Sequence, residues 1–212
     1  IKVQPTADDV GVVHVKDKDG DSIFKIDTTN DLVSALGHYT NTHYSHFGID
    51  AAYSVNYAAN THYPVPFGMT MSSTQSDVDF GTGTDPSDTF TTADTDTQYA
   101  SQIVPMLWRV PDNITIDSIT HIEGADNATG DTTRMHLKSF TFTSGATACL
   151  TAGALLAHNS DVTNAGNEQP YLSTWTVDSA DVDANKVILC FFRSDSVNSD
   201  FSLNVIIKYY LR

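Results

Sequence analysis

The last twelve residues alternate between apolar and polar side chains with the two-residue period of a β-strand. One face carries Phe201, Leu203, Val205, Ile207, Tyr209 and Leu211. The other face carries Ser202, Asn204, Lys208 and Arg212. Because successive side chains of a strand point to opposite faces, this pattern predicts a strand with one face against a core and the other toward solvent.

Two other runs depart from simple alternation. The run Val187–Phe192 is apolar at every position, which predicts a central strand covered on both faces. Further back, Met135 and Leu137 share one parity whereas Phe140 and Phe142 share the other. A change of phase inside one strand predicts a β-bulge or a bend at that point.

Most of the remaining pattern consists of short strands and turns. Residues 70–98 are mostly Ser, Thr, Asp and Gly, which predicts a long surface excursion with at most short strands. No segment carries the sustained apolar stripe of a long helix, and Thr151–His158 fits either a short helix or a strand. About eight to ten short strands separated by turns predict an all-β fold, a β-sandwich of jelly-roll type.

The N-terminal part of the chain predicts a separate hairpin. Residues 10–16 read as a strand, 17–21 as a turn with Asp-Gly at its centre, and 22–27 as the return strand. Such a hairpin is too small to be stable alone, so it needs the main domain or further copies of itself. The predicted division is therefore an arm and hairpin segment over 1–36 and a sandwich head over 37–212.

Composition narrows the function classes. The formal charge is −15, with 11 Lys and Arg against 26 Asp and Glu, and only Glu123 and Glu168 are Glu. Thr and Asp suit strands and turns, which argues against a helical bundle. The shortage of clustered Lys and Arg argues against binding to nucleic acid and to anionic membranes. No apolar run approaches the length of a membrane span, so no membrane insertion is expected.

The acidic residues raise the question of a cation site. Between Lys25 and Arg109 there is no Lys or Arg, and this stretch holds nine Asp. It is interpreted as a solvated acidic face, with Ca²⁺ sites as the alternative. Asp17, Asp19 and Asp21 resemble part of a Ca²⁺ loop, although the later bidentate Glu of an EF-hand is missing. The chemistry of an Asp-Gly turn explains these residues equally well.

Aromatic and imidazole side chains concentrate between residues 38 and 63. The candidate contact residues are Tyr39, His43, Tyr44, His46, Tyr53, Tyr57, His62 and Tyr63. Exposed aromatic residues beside Asn and Asp are typical of a surface that binds a sugar or a protein. A zinc or iron site formed by His43, His46 and His62 is an alternative, and packing within the fold is another.

Signals for catalysis are weak. The chain lacks the nucleophile-elbow, zincin and phosphate-loop motifs, and its Asp pairs are expected by chance among 24 Asp. No enzymatic activity is therefore predicted. Cys149 and Cys190 are interpreted as buried free thiols, with a disulfide between them as the alternative.

Several segments resemble those of phage structural proteins. Residues 19–30, which contain D-G-D-S-x-F-x-x-D, resemble a hairpin element of bacteriophage fibre and other virion-appendage proteins. Residues 79–85, 130–136 and 198–204 resemble distal β-domains of marine tailed-phage structural proteins. The resemblance implies a homotrimer, which agrees with a hairpin too small to stand alone.

The sequence thus predicts a non-enzymatic virion protein, a trimeric fibre or appendage on the particle surface that mediates attachment to the host. Its expected partners are further copies of the chain, other virion proteins through the N-terminal segment, and a host-surface glycan or protein. No cofactor is expected, with Ca²⁺ as the alternative. A capsid decoration or head-fibre protein is an alternative of the same class. A Ca²⁺-dependent carbohydrate-binding module and a small glycan hydrolase are alternatives of other classes.

Overall fold

The computed structural model describes residues 6–9, 11–30, 32–35, 42–49, 58–70, 78–93, 98–125, 128–166, 169–196 and 201–212. The chain divides into two compact units, Ile1–Asn41 and Thr42–Arg212. The division falls five residues after the boundary that the sequence predicts. The fold is all-β, as predicted.

The first unit is a three-stranded antiparallel sheet, here called the N-terminal sheet. It consists of β1 (Val13–Lys16), β2 (Ser22–Asp27) and β3 (Leu32–Ala35), in that order. The predicted hairpin corresponds to β1 and β2, in which Val13 lies opposite Ile26 and Val15 opposite Phe24. A third strand, β3, pairs with β2 and completes the sheet.

The second unit, the head, contains two larger sheets. In chain order its described strands are β4 (Thr42–Ile49), β5 (Tyr63–Val65), β6 (Gly68–Thr70), β7 (Trp108–Arg109), β8 (Ile114–Ala125), β9 (Thr132–Phe142), β10 (Leu150–His158), β11 (Val162–Thr163), β12 (Gln169–Thr174), β13 (Thr176–Val177), β14 (Asp181–Val182), β15 (Lys186–Ser194) and β16 (Phe201–Leu211). One helical turn, α1 (Ala100–Ile103), and a 3₁₀ turn over Val104–Met106 precede β7.

The two head sheets have interleaved chain order. Sheet I runs β12-β8-β16-β4-β6, with β14 beside β8, and sheet II runs β13-β10-β9-β15-β5, with β11 beside β9 and β7 beside β15. All pairs are antiparallel except β4 with β6. Apolar side chains from both sheets form one core between them, which makes the head a β-sandwich.

The predictions for the last two strands are confirmed. In β16, Phe201, Leu203, Val205 and Ile207 are all buried in the core between the sheets. All six residues of Val187–Phe192 in β15 are buried. Alternate residues of β15 enter two different cores, because sheet II is covered on both faces.

The second core lies on the outer face of sheet II. A segment formed by residues 78–93, here called the cover segment, buries Val78, Phe80 and Phe90 against Phe140 and Phe191. As predicted for residues 70–98, most of these described residues are exposed and they form no strand beyond one isolated bridge, but the docking of the segment on sheet II was not predicted. Three apolar side chains were enough to dock a segment that is otherwise polar.

The predicted bulge lies in the neighbouring strand and not in β9. The pairing of β9 with β15 runs without a shift from Thr141 to Thr133, whereas β10 carries extra residues opposite β9. The phase change in β9 arises because Met135 and Leu137 face the core between the sheets, while Phe140 faces the second core. Phe142 lies beyond both cores and is largely exposed.

Residues 151–158 belong to a strand, β10, and its irregularity has a clear role. Gly153 lies where the cover segment approaches the backbone of β10 most closely, and its N–H donates to the carbonyl oxygen of Asp88. A Cβ atom at Gly153 would stand 2.7 Å from the Cα of Asp88 and 2.8 Å from the Phe140 ring. Only glycine allows this contact without displacing the cover segment.

Candidate functional site

The sequence-predicted contact residues that the structure describes occupy separate places in the head. Tyr44 and His46 are exposed on β4, and His43 stacks on Tyr209 with ring centroids 5.5 Å apart. His62 and Tyr63 are buried, so the expectation that they lie on an exposed surface is wrong. Tyr39, Tyr53 and Tyr57 lie outside the described residues.

The two buried members lie on opposite faces of sheet II. Tyr63 packs in the core between the sheets, and its hydroxyl accepts the N–H of Ala58 at 2.9 Å. His62 lies beneath the cover segment, and its Nε2–H donates to the carbonyl oxygen of Gly83 at 3.1 Å. Tyr63 begins β5 and His62 directly precedes it, and the side chains of these two neighbours lie on opposite sides of sheet II.

The aspartates of the predicted cation loop form a turn. Asp17 Oδ1 accepts the backbone N–H groups of Asp19 and Asp21, both at 2.9 Å, and Asp19 pairs with the exposed Lys18. Gly20 completes the turn with a φ of 91°, which favours glycine. Within the described part of the chain, no group of three or more His, Cys, Asp and Glu is placed to hold a metal ion.

The interpretation of the cysteines is confirmed. Cys149 and Cys190 are both free and buried, and they belong to different cores of the head. Burial raises the pKa of both thiols, which keeps them protonated and unreactive.

A buried polar network crosses the sandwich at one end. Trp175 Nε1–H donates to His121 Nδ1 at 2.6 Å, so the Nε2–H of His121 donates to Glu123 Oε2 at 3.2 Å. Thr133 Oγ1 donates to Glu123 Oε1 at 2.6 Å. Although a His–Glu pair can serve as a general base, these two side chains are only 1% and 3% exposed. The network therefore pins β8 and β9 together and does not face a substrate.

The outer face of sheet II becomes steadily more polar along β9. Beyond the second core, Lys138 is 2% exposed and donates to the carbonyl oxygen of Pro86 and to Asp88 Oδ1. The next residue on this face, His136, packs edge-on against His62 with ring centroids 4.9 Å apart. These side chains lie between sheet II and the cover segment, which they hold in place.

The two histidines are neutral. Burial, together with the positive charges of Arg193 and Lys138, lowers the pKa of His62 to about 4. Burial also lowers the pKa of His136 to about 3, with further contributions from neighbouring cations including Arg134. The carboxylate of Asp85 lies 3.5 Å from His136 Nε2, and neither ring nitrogen of His136 has a hydrogen-bond partner. The pKa is lowered because the free-energy cost of burying a charged imidazole exceeds the stabilisation that this carboxylate provides.

The polar row ends in an open pocket, here called the arginine pocket. Its cavity volume is about 70 Å³, well below the roughly 300–1,000 Å³ of whole-ligand sites, so it has room for a single small group. Its lining consists of Asn60, Thr132, Arg134, Asp161, Arg193 and Asp195. Arg134 and Arg193 are direct partners across β9 and β15.

Sequence reasoning did not single out the arginine pocket. Arg134 and Arg193 are two of the four arginines of the chain, and 59 positions separate them. Nothing in a single sequence says that these positions pair. Their scarcity in an acidic chain is the one signal that could have drawn attention to them.

The comparisons with known proteins do not assign the site. No model of a known protein family matches the chain, and no curated protein sequence matches it either. The helices in the described residues are too short to cross a membrane.

Proposed function

We propose that the chain is a non-enzymatic structural protein of a tailed-bacteriophage particle. In this proposal it forms a trimeric fibre or appendage on the virion surface. The first unit assembles the trimer and attaches it to other virion proteins. The head contacts the host surface.

The observation that carries the proposal is an uncovered apolar face on the N-terminal sheet. The pairings place on one face Val13, Val15, Phe24, Ile26, Val33 and Ala35. Val15 is 48% exposed and Val33 is 63% exposed. Among the residues of this unit whose burial is described, Asp27 is the one buried side chain, and none of the hydrophobic ones is buried.

Further copies of the same chain are the occupant that best fits this face. A three-stranded sheet of this size needs a covered hydrophobic face for stability, and a patch of this kind is typical of an interface. Residues 1–41 carry four Lys and seven Asp, so this unit contributes only −3 to the net charge of −15. Copies can therefore approach through this unit with little of the repulsion that the whole chain carries.

The strand order of the head supports a jelly-roll assignment within the same proposal. The eight principal strands are β4, β5, β8, β9, β10, β12, β15 and β16. The first pairs with the last, the second with the seventh, the third with the sixth and the fourth with the fifth. This is the pattern of one long antiparallel hairpin wound into two sheets, which is typical of viral and lectin jelly rolls.

The experiment is a mass measurement by light scattering at micromolar concentration. We expect a species of three times the 23.0 kDa chain mass. Val33→Asp should reduce it to the monomer, because it places a charge in the apolar interface. Ser34→Asp, its neighbour on the opposite face, is the matched control and should remain trimeric. A wild-type chain that is monomeric would contradict the proposal.

A further inference from the structure

The arginine pocket places two like charges directly opposite each other. Arg134 on β9 pairs with Arg193 on β15, and both side chains are partly exposed. Like charges in this position destabilise a sheet unless something neutralises them. In a chain that carries 26 acidic residues and four arginines, this juxtaposition calls for an explanation.

The neighbouring carboxylates neutralise the pair only in part. Asp161 Oδ1 lies 3.5 Å from Arg134 Nη1, and Arg134 Nε is buried without a hydrogen-bond partner. Asp195 directs both oxygens to Thr132, at 2.7 Å to its N–H and 2.8 Å to its hydroxyl. These neighbours therefore do not fully satisfy the guanidinium group of Arg134.

Arg193 is neutralised even less. Its Nη2 donates to Asn60 Oδ1 at 2.7 Å, which is a neutral amide. No carboxylate of the described residues lies within 4.0 Å of this guanidinium group. Its charge also acts on His62 and His136, where it helps to keep both imidazoles neutral. The lining thus carries two arginines and two aspartates, and the guanidinium group of Arg193 has no carboxylate of the described residues as a direct partner.

We propose that the arginine pocket binds the anionic group, a carboxylate or a sulfate ester, of an acidic saccharide. The planar donors of Arg134 and Arg193 suit the paired oxygens of such a group. Beside it, Asp161 can accept hydrogen bonds from sugar hydroxyl groups, and the Asn60 NH₂ group can donate to them. This inference deepens the proposed function, on which it rests for the source of the saccharide at the host surface.

The lining favours a saccharide over an acidic peptide. All six lining residues are polar, and they include two arginines, two aspartates, an asparagine and a threonine. A sugar acid or sulfated sugar presents hydroxyl donors and an anionic group on one small ring, which matches this mixture. A peptide would gain most from an apolar subsite or a free strand edge, and the lining provides no apolar side chain.

The test measures binding of the full-length protein by calorimetry at low salt. The probes are oligoalginate for a carboxylate, sulfated dextran for a sulfate ester, neutral dextran of matched length, and poly-glutamate for an acidic peptide. We expect binding to one or both acidic saccharides and none to neutral dextran. Equal binding of poly-glutamate would overturn the saccharide assignment, and the absence of binding to both acidic saccharides would overturn the site.

The variants separate the site from general charge. Arg193→Gln should weaken binding at least about tenfold, the loss expected for a charge-assisted hydrogen bond. Arg109→Gln is the matched control, because Arg109 also lies on sheet II and donates to a neutral side chain, Asn185 Oδ1, at 2.7 Å. An equal loss of affinity in both variants would mean that binding depends only on the net charge of the protein, which would contradict the proposal.

A conservative variant covers the case in which Arg193→Gln does not fold. Arg193→Lys keeps the positive charge but loses the planar fork, so binding should still weaken several-fold. Unchanged affinity in this variant would overturn the assigned geometry. The binding result is independent of the mass measurement. A trimer that binds no acidic saccharide would contradict the site but not the proposed function. A monomer that binds an acidic saccharide would contradict the trimer but not the site.

Discussion

The N-terminal sheet and sheet II of the head both carry apolar faces, with opposite outcomes. In the N-terminal sheet an apolar face stays exposed, and Val33 is 63% exposed. In sheet II both faces are covered, and Phe191 and Phe192 are completely or almost completely buried on opposite sides of one strand. Alternation therefore creates an apolar face, but a second layer is needed to turn that face into a core.

The largest expected effect comes from truncating one Phe in each region. Phe191→Ala should lower the free energy of unfolding of the head by about 3–5 kcal/mol, because it leaves a cavity in the second core. Phe24→Ala should leave the unfolding of the head unchanged and weaken self-association. Urea unfolding followed by tryptophan fluorescence reports on the head, where Trp108 and Trp175 are both buried.

The control for this comparison is a large side chain on the solvent face of the head. Leu172 is 74% exposed, so Leu172→Ala should change the free energy of unfolding by less than about 0.5 kcal/mol. Suppose instead that Phe24→Ala lowered the free energy of unfolding of the head as much as Phe191→Ala. The stability of the head would then depend on Phe24, which would contradict the comparison.

A smaller effect is expected from the buried polar network, which the N-terminal sheet lacks among its described residues. Glu123→Ala should cost about 1–3 kcal/mol, since it leaves the Nε2–H of His121 and the hydroxyl of Thr133 without an acceptor. Glu123→Gln should cost less, because its amide oxygen still accepts from His121 and Thr133 can accept from its NH₂ group. Equal losses in both variants would show that packing, and not the hydrogen bonds, sets the effect.

A pH dependence should also distinguish the head. The pKa values of His62 and His136 are about 4 and about 3, below the usual value of 6.5. The unfolded chain therefore binds more protons than the folded chain between pH 6.5 and these values, so stability should fall as the pH falls through this window. Urea midpoints at pH 7, 5.5 and 4.5 measure this slope.

The contribution of the buried histidines can be isolated by substitution. His136→Gln removes one site of proton uptake on unfolding, so the slope of stability with pH should become shallower even if the variant is less stable at pH 7. His46→Gln, at an exposed position on β4, should keep the wild-type slope. A wild-type slope in His136→Gln would mean that other groups cause the acid sensitivity.

The smallest effect is expected at the turn of the N-terminal sheet. Asp17→Ala should destabilise this sheet by about 0.5–1.5 kcal/mol, because the N–H groups of Asp19 and Asp21 lose their acceptor. Asp17→Asn keeps an oxygen acceptor and should be nearly neutral. Hydrogen exchange of the amides in β1 and β2 measures both variants, and a chelator-sensitive difference between them would instead favour a Ca²⁺ loop.

The strands were more predictable than the surfaces. The alternation of β16 and the continuous apolar run of β15 are local features, so the sequence predicted both strands and their burial. The cover segment was not predicted, because Val78, Phe80 and Phe90 are isolated among polar residues. Their burial depends on meeting Phe140 and Phe191, which lie far away along the chain.

The candidate site was predictable only in its residue types. Tyr and His between positions 38 and 63 suggested one contact surface, yet β4 places Tyr44 on sheet I and His62 precedes a strand of sheet II. The arginine pocket arises from a pairing between β9 and β15 whose register a single sequence does not encode locally. Neighbours in the sequence were separated, and distant residues were brought together.

The sequence by itself determined the all-β class, the N-terminal hairpin and the inward faces of the long strands. These follow from local physics, because each residue contributes its own propensity and its parity along a strand. Only the tertiary structure decided which strands became neighbours, which faces were covered, and that Arg134 meets Arg193. Register and layering depend on the packing of the whole chain, since a shift of one residue would move every side chain to the other face.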